Sequence, residues 1–193
     1  MKKHLFWLLL WFVACNTGDR HWREELLVHR AEVDHWFRTD PRSPLPPEIR
    51  PRFRGLSYFP PAPRYRFPVH LEPVVPPRPT TIAASGGEDR RYFVVGTVSF
   101  TLEGRDLRLE VLGDSLGKHL FIPFTDLTSG RSTYSGGRYL NLEAAPDGTV
   151  ELDFNRAYNP YCAYNHRYSC ALPPPENDLP VAVRAGEKNF PLH

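Results

Sequence analysis

Proline constrains this chain more than any other residue type. Of the 193 residues, 21 are proline, about twice ordinary usage. Each proline fixes φ and removes a backbone donor. Long helices are therefore excluded where prolines cluster, and strands tolerate them only at edges or bulges. Eight prolines fall within residues 41–63, in segments such as SPLPPEIRP and YFPPAP. That stretch reads as extended, non-repetitive chain. Its Leu45, Phe53, Leu56, Tyr58 and Phe59 argue that it lies along a folded surface, because a disordered linker carries fewer large apolar groups.

The first residues follow a different logic. Lys2 and Lys3 precede an unbroken apolar run from Leu5 to Val13, which is too short to span a bilayer. The run ends in Phe12-Val13-Ala14-Cys15, which resembles a bacterial lipobox, with Phe12 where leucine is usual. The resemblance implies a signal peptide over 1–14, cleavage before Cys15, and diacylglycerol on its thiol. Residues 15–18 then form a tether. Localisation is expected at the bacterial cell envelope, lipid-anchored to a membrane and facing the periplasm or exterior. The alternative is an ordinary secretory signal with Cys15 a bystander. Lys2 and Lys3 also carry the whole formal charge of +2. The remaining chain is neutral and gives no general reason to bind nucleic acid.

The rest, residues 19–193, reads as one domain. Asp19 can cap a helix over about 20–38, where Trp22, Leu26, His29, Val33 and Trp36/Phe37 recur at three- and four-residue spacings. Asp40-Pro41 ends it. Strand signals then come in series. Leu107, Leu109 and Val111 alternate with charged residues, and a long strand over 91–102 bends at Gly96. Pro146-Asp147-Gly148 marks a hairpin turn between strands at 138–143 and 150–155. About seven strands joined mostly by short turns predict a mainly β fold, an antiparallel β-sandwich or partly open β-barrel with one N-terminal amphipathic helix.

A longer pattern runs through the second half. It comprises Phe124-x-Asp126-x-Thr128-x-Gly130, Thr133-Tyr134-x-x-Gly137-Arg138-Tyr139-Leu140, and Asp153-Phe154-Asn155-x-Ala157-Tyr158-Asn159-Pro160-Tyr161-Cys162-Ala163-Tyr164. Tyr168, Cys170, Leu172-Pro173-Pro174, Glu176-Asn177 and Ala185-Gly186-Glu187-Lys188 continue it. The string resembles the uncharacterised bacterial family called domain of unknown function 1684, over roughly residues 20–190. Ala171 departs from it, standing where the family commonly has proline. The resemblance implies homology and carries over no activity.

The chemistry-bearing residues concentrate between 138 and 177. Asp153 and Asn155 stand two apart on a strand and share a face. Pairing across the Pro146–Gly148 turn is expected to bring Arg138 near them. An Arg, an Asn and a carboxylate could orient a small polar ligand, with Tyr158, Asn159, Tyr161 and Tyr164 as an adjoining wall for sugars or peptides. The same groups could instead be purely structural, stitching the C-terminal loop to the sheet. Cys162 and Cys170 have three open uses. A disulfide would suit an exported chain. A zinc site would draw on Cys162, His166 and Cys170, with C-x3-H-x3-C spacing and a fourth ligand. A nucleophilic Cys162 would need a base, His166 being nearest in sequence. No cofactor is expected unless zinc. The expected role is an envelope-anchored binding module, its protein partners unspecified. The alternative is a hydrolase-like or thiol- or metal-dependent enzyme using the same cluster.

Overall fold

The computed structural model describes residues 4–190, with side chains from Thr17 to Phe190. The leader 1–14 and the lipidation candidate Cys15 lie outside the described side chains. The chain divides into two compact units, Met1–Ser43 and Pro44–His193.

The first unit is helix α1, His4–Thr39, and the turn after it. Asp19 lies within this helix rather than capping it, and Asn16-Thr17-Gly18 does not interrupt it. One glycine costs a helix only about 1 kcal/mol. Trp22, Leu26 and Phe37 of the expected stripe are buried, but its His29 is exposed and the neighbouring Arg30 is buried instead, while Leu27 and Val28 are exposed. The helix stops where Pro41 forbids another turn. Asp40 caps the exit, accepting from the Arg42 backbone N–H at 2.8 Å and from its guanidinium at 3.0 Å. Among the described residues no helix is long and apolar enough to cross a membrane.

Among the described residues the second unit has eight strands. Strands β1 (Arg66–His70) and β7 (Thr149–Asp153) form one antiparallel pair. The larger sheet has the order β2 (Glu72–Ala83), β3 (Asp89–Leu102), β4 (Arg105–Gly113), β5 (Phe121–Asp126), β6 (Arg138–Asn141). A short β8 (Asp178–Leu179) joins β5 in parallel. No closed barrel forms; the sandwich alternative fits. Side chains of both sheets meet in one core, where Val98, Leu109, Ile122 and Leu140 pack with Val150 and Leu152. Phe154 is its centre, with Phe124 at 5.2 Å and Phe100 at 5.4 Å between ring centroids.

Local sequence explains the strand details. Leu107, Leu109 and Val111 all turn inward, as their alternation predicts. The ladder of β3 slips between Val94 and Gly96. A Cβ at Gly96 would come within 2.8 Å of the Glu72 carbonyl oxygen, so only glycine lets β2 approach so closely. Strand β2 is the sheet's edge. Its ladder lapses between Pro73 and Arg78, where prolines supply no donors.

The expected hairpin pairing fails. The Pro146–Gly148 turn forms, closed by Ala145 N–H donating to the Thr149 carbonyl at 2.9 Å. Yet β6 does not pair with β7. Beyond the single Ala144–Val150 bridge the chain enters the other sheet, where Asp153 lies opposite Arg66. Arg138 faces Phe124 instead. The core rewards burial of Val150 and Leu152 between sheets more than a longer hairpin.

Phe154→Ala is expected to cost about 3–5 kcal/mol, because its cavity lies where both sheets meet. Urea unfolding measures this. Leu116→Ala, at an exposed position, should change stability by less than about 0.5 kcal/mol. Similar small losses from both would contradict this assignment of the core.

Candidate functional site

Arg138 is the most deeply buried charge of the second unit, with no exposed surface. Strand β6 carries it under Phe124, whose ring lies 5.2 Å from the guanidinium carbon. Nη2 donates to Asp126 Oδ2 at 2.8 Å and to the Val183 carbonyl at 3.0 Å. Nη1 donates to the carbonyls of Ala185 and Glu187. Asp126 Oδ1 in turn accepts from the backbone N–H groups of Thr128, at 2.7 Å, and Val183, at 3.2 Å. Burial pushes the Arg138 pKa down, and the Asp126 carboxylate opposes that. The guanidinium thus holds the C-terminal segment by its carbonyls.

Asp153 and Asn155 face inward too. β7 ends at Asp153, and a 3-10 turn over Phe154–Arg156 follows. Asp153 Oδ1 accepts from Asn155 N–H at 2.9 Å and from its Nδ2 at 2.8 Å. The Asn155 amide accepts from Ala62 N–H at 2.8 Å and donates to the Ala62 carbonyl at 3.0 Å. A side-chain amide here replaces a strand neighbour. Arg138 belongs to a different hydrogen-bonded set, so the pocket expected from these three residues is not assembled as drawn.

A third inward set centres on Glu187. Tyr164 O–H lies 2.7 Å from both carboxylate oxygens, Asn159 N–H donates at 3.0 Å, and Asn159 Nδ2 donates at 2.9 Å. Burial lifts the Glu187 carboxyl to about 7 against these hydrogen bonds. The same burial, with the Glu187 charge beside it, pushes the Tyr164 phenol well above its ordinary value. Glu187 is held close by Gly186, whose φ is +75° and whose absent Cβ would meet the Ala157 and Phe154 carbonyls at 2.7 Å. Tyr158 is mostly enclosed, its hydroxyl on Asn141 Oδ1 at 2.8 Å, and burial raises it to about 12.

Two features face outward or stand apart. Tyr161 and Tyr168 are 42% and 38% exposed and meet edge to face at 5.4 Å. Cys162 and Cys170 are buried free thiols, so the disulfide expected from sequence is not formed in this structure. Cys162 N–H donates to Cys170 Sγ at 3.1 Å, and Tyr134 O–H donates to Cys162 Sγ at 3.7 Å. The Cys170 thiol hydrogen bond, joined by Tyr134 and Ser85, brings Cys162 down to about 6. The same bond, with burial, drives Cys170 up. His166 is exposed and has no part in these contacts. Among the described residues no group of three His, Cys, Asp or Glu could hold a metal ion. The C-x3-H-x3-C spacing therefore does not gather into a zinc site. A loop places the His on the surface while both thiols turn inward.

A cleft of about 340 Å³ lies elsewhere, lined by Val74, Arg78, Val94, Thr97, Arg108, Glu110 and Glu176. None of the residues singled out from sequence as ligand contacts lines it. Asp126, Tyr134 and Glu187 are the site residues that local reasoning missed. Each lay inside the family-like string, but no spacing rule marks a lone carboxylate as a partner for an arginine or a tyrosine.

The chain belongs to the protein family of unknown function DUF1684, whose model matches residues 51–188. It is also similar to an uncharacterised protein of Haloarcula marismortui solved by solution NMR. The two are 37% identical over 90% of this chain and 97% of that one, with a TM-score of 0.69. No curated protein matches the chain.

Glu187 makes stability depend on pH in a definite direction. Its folded value, about 7, lies above the ordinary 4.5, so folding favours the protonated form. Its contribution is complete below about pH 4.5 and is lost as pH rises through about 7. Thermal melts across that window should fall with pH in the wild type. In Glu187→Gln that part of the slope should vanish. Parallel profiles for the two proteins would contradict the assignment.

Proposed function

We propose that this DUF1684 member is a lipid-anchored envelope protein whose second unit binds a polar ligand on the outer rim of the 161–168 loop. The observation that carries the reading is the exposed Tyr161–Tyr168 pair. Two neighbouring aromatic rings left in solvent on the rim of this loop offer apolar faces and phenolic hydroxyls together. Saccharides suit such a surface, presenting C–H faces to rings and hydroxyls to polar neighbours. His166 and Arg167 are exposed beside the pair and supply donors.

The loop is also preorganised, which reduces the ordering cost of binding. Asn165 Nδ2 donates to the Pro44 carbonyl at 3.1 Å. Tyr164, Asn159 and Glu187 fix the loop from beneath. In this reading Arg138, Asp153, Asn155, Asn159 and Tyr164 support the binding surface, and Tyr161 and Tyr168 touch the ligand. The leader 1–14 directs export, Cys15 carries the lipid, and Cys162 and Cys170 close as a disulfide across the base of the loop in an oxidising compartment.

Isolated peptidoglycan sacculi provide the probe. The full-length protein should co-sediment with them, and Tyr161→Ala and Tyr168→Ala should each weaken binding at least about tenfold, or about 1.4 kcal/mol. Cys15→Ser should release the protein from the membrane fraction without changing sacculus binding. Absence of wild-type binding, or tyrosine variants that bind as wild type, contradicts the saccharide reading. A Cys15→Ser protein that stays membrane-bound contradicts the anchor.

A further inference from the structure

The two cysteines are not equivalent, and their surroundings give each sulfur a different task. Cys162 Sγ accepts a hydroxyl donor: Tyr134 O–H points at it from 3.7 Å. Cys170 Sγ accepts the Cys162 backbone N–H at 3.1 Å, which places the sulfur of one residue against the main chain of the other. The Cys170 side is held firmly. Its N–H donates to Ser85 Oγ at 3.0 Å, and its carbonyl accepts from Ser85 N–H at 2.9 Å. Arg90 Nη2 donates to the Ser169 carbonyl at 2.8 Å and pairs with Glu88 at 3.2 Å, tying the residue before Cys170 to strand β3. Cys170 is fixed to the sheet by Ala84–Ala171 bridging, whereas Cys162 rides on the loop.

We propose that Cys162 and Cys170 are a hydroperoxide-reactive dithiol, with Cys162 as the attacking sulfur and Cys170 as the resolving sulfur. The inference rests on the disulfide pairing proposed above and adds its chemistry. It requires neither the lipid nor the saccharide. The Tyr134 hydroxyl aimed at Cys162 stabilises a thiolate, the form of cysteine that reacts. The thiolate attacks one peroxide oxygen, the O–O bond breaks, and the departing oxygen takes a proton as water or an alcohol. Cys162 is left as a sulfenic acid. Cys170 sulfur then attacks Cys162 sulfur. The S–S bond forms, the S–O bond breaks, and the hydroxyl leaves as water with the proton of Cys170. Two thiols supply the two electrons that reduce the peroxide.

The Tyr134 hydroxyl explains why the pair is not a simple staple. A structural disulfide needs no hydroxyl aimed at one of its sulfurs. Tyr134 is partly buried, and burial with the Cys162 contact raises its phenol, so it remains a donor at neutral pH. The contacts with Cys170 and Tyr134 hold the Cys162 thiol below its ordinary value. Both residues are almost fully enclosed, Cys162 at 4% and Cys170 at 8% exposure. Hydrogen peroxide, the smallest hydroperoxide, is therefore the oxidant to test.

The test uses the full chain in a Cys15→Ser background, so that only these two sulfurs remain. Thiols are counted by alkylation after denaturation, following treatment of folded protein with hydrogen peroxide or with diamide. Sulfenic acid is trapped with dimedone. The expected result is loss of both thiols with peroxide, a rise in Tm of roughly 5–10 °C on oxidation, a dimedone adduct at Cys162 in Cys170→Ser, and none at Cys170 in Cys162→Ser. The peroxide rate should rise with pH below the range of an ordinary thiol near 8.5. Circular dichroism checks that both serine variants fold, and Cys→Ala versions repeat the trapping if either does not. A disulfide that forms with diamide without any Cys162 adduct overturns the assignment of roles and leaves the pairing intact. Two thiols surviving diamide in folded protein overturn both.

Discussion

The second unit depends on one buried ion pair. Arg138 and Asp126 are both sealed from solvent, and the guanidinium spends its remaining donors on the carbonyls of Val183, Ala185 and Glu187. Such a pair costs desolvation that its own attraction hardly repays. What it secures here is position. The C-terminal segment has only a two-residue strand of its own, so its backbone groups need partners from side chains. Arg138 takes the carbonyls, and Asp126 takes the Val183 N–H. Once the segment is seated, Glu187 is delivered beneath the tyrosine-rich loop.

The other buried amides work by the same rule. Asn155 pairs with both backbone groups of Ala62. Asn177 accepts from Glu110 N–H at 2.7 Å and donates to the carbonyls of Glu110 and Pro123. A chain rich in proline has fewer N–H groups for ladders and more extended segments lying beside one another. Side-chain amides then act as substitute strand edges. The asparagines and tyrosines that look like a binding wall in the sequence are largely this internal scaffolding, and what is left outside is the Tyr161–Tyr168 rim.

Much of this was legible in the residues. The alternation in β4, the break at Gly96, the helix stop at Asp40-Pro41 and the special status of Arg138 all come from local chemistry. The pairing of β7 with β1 did not, because Thr149–Asp153 meets Arg66–His70 across eighty-odd intervening residues, and only the shared core selects that partner. The Arg138–Asp126 pair was nearer to hand. With β5 and β6 drawn as neighbours, Asp126 falls two residues beyond the position opposite Arg138, a diagonal within side-chain reach. Glu187 had no local signature at all. Its role arises because the tail folds back on residues 157–164, which no periodicity encodes.

Amide hydrogen exchange on Arg138→Met tests this account most directly. Methionine keeps much of the arginine's length without its charge or donors. The account predicts that protection collapses locally, at Leu127, Val183 and Glu187, whose N–H groups bond to Val181, Asp126 and Ala157. Amides in the β3–β4 ladder should stay protected, since no atom of that ladder relies on the guanidinium. Unchanged protection across 181–187 in a folded variant would contradict the claim that Arg138 holds the segment.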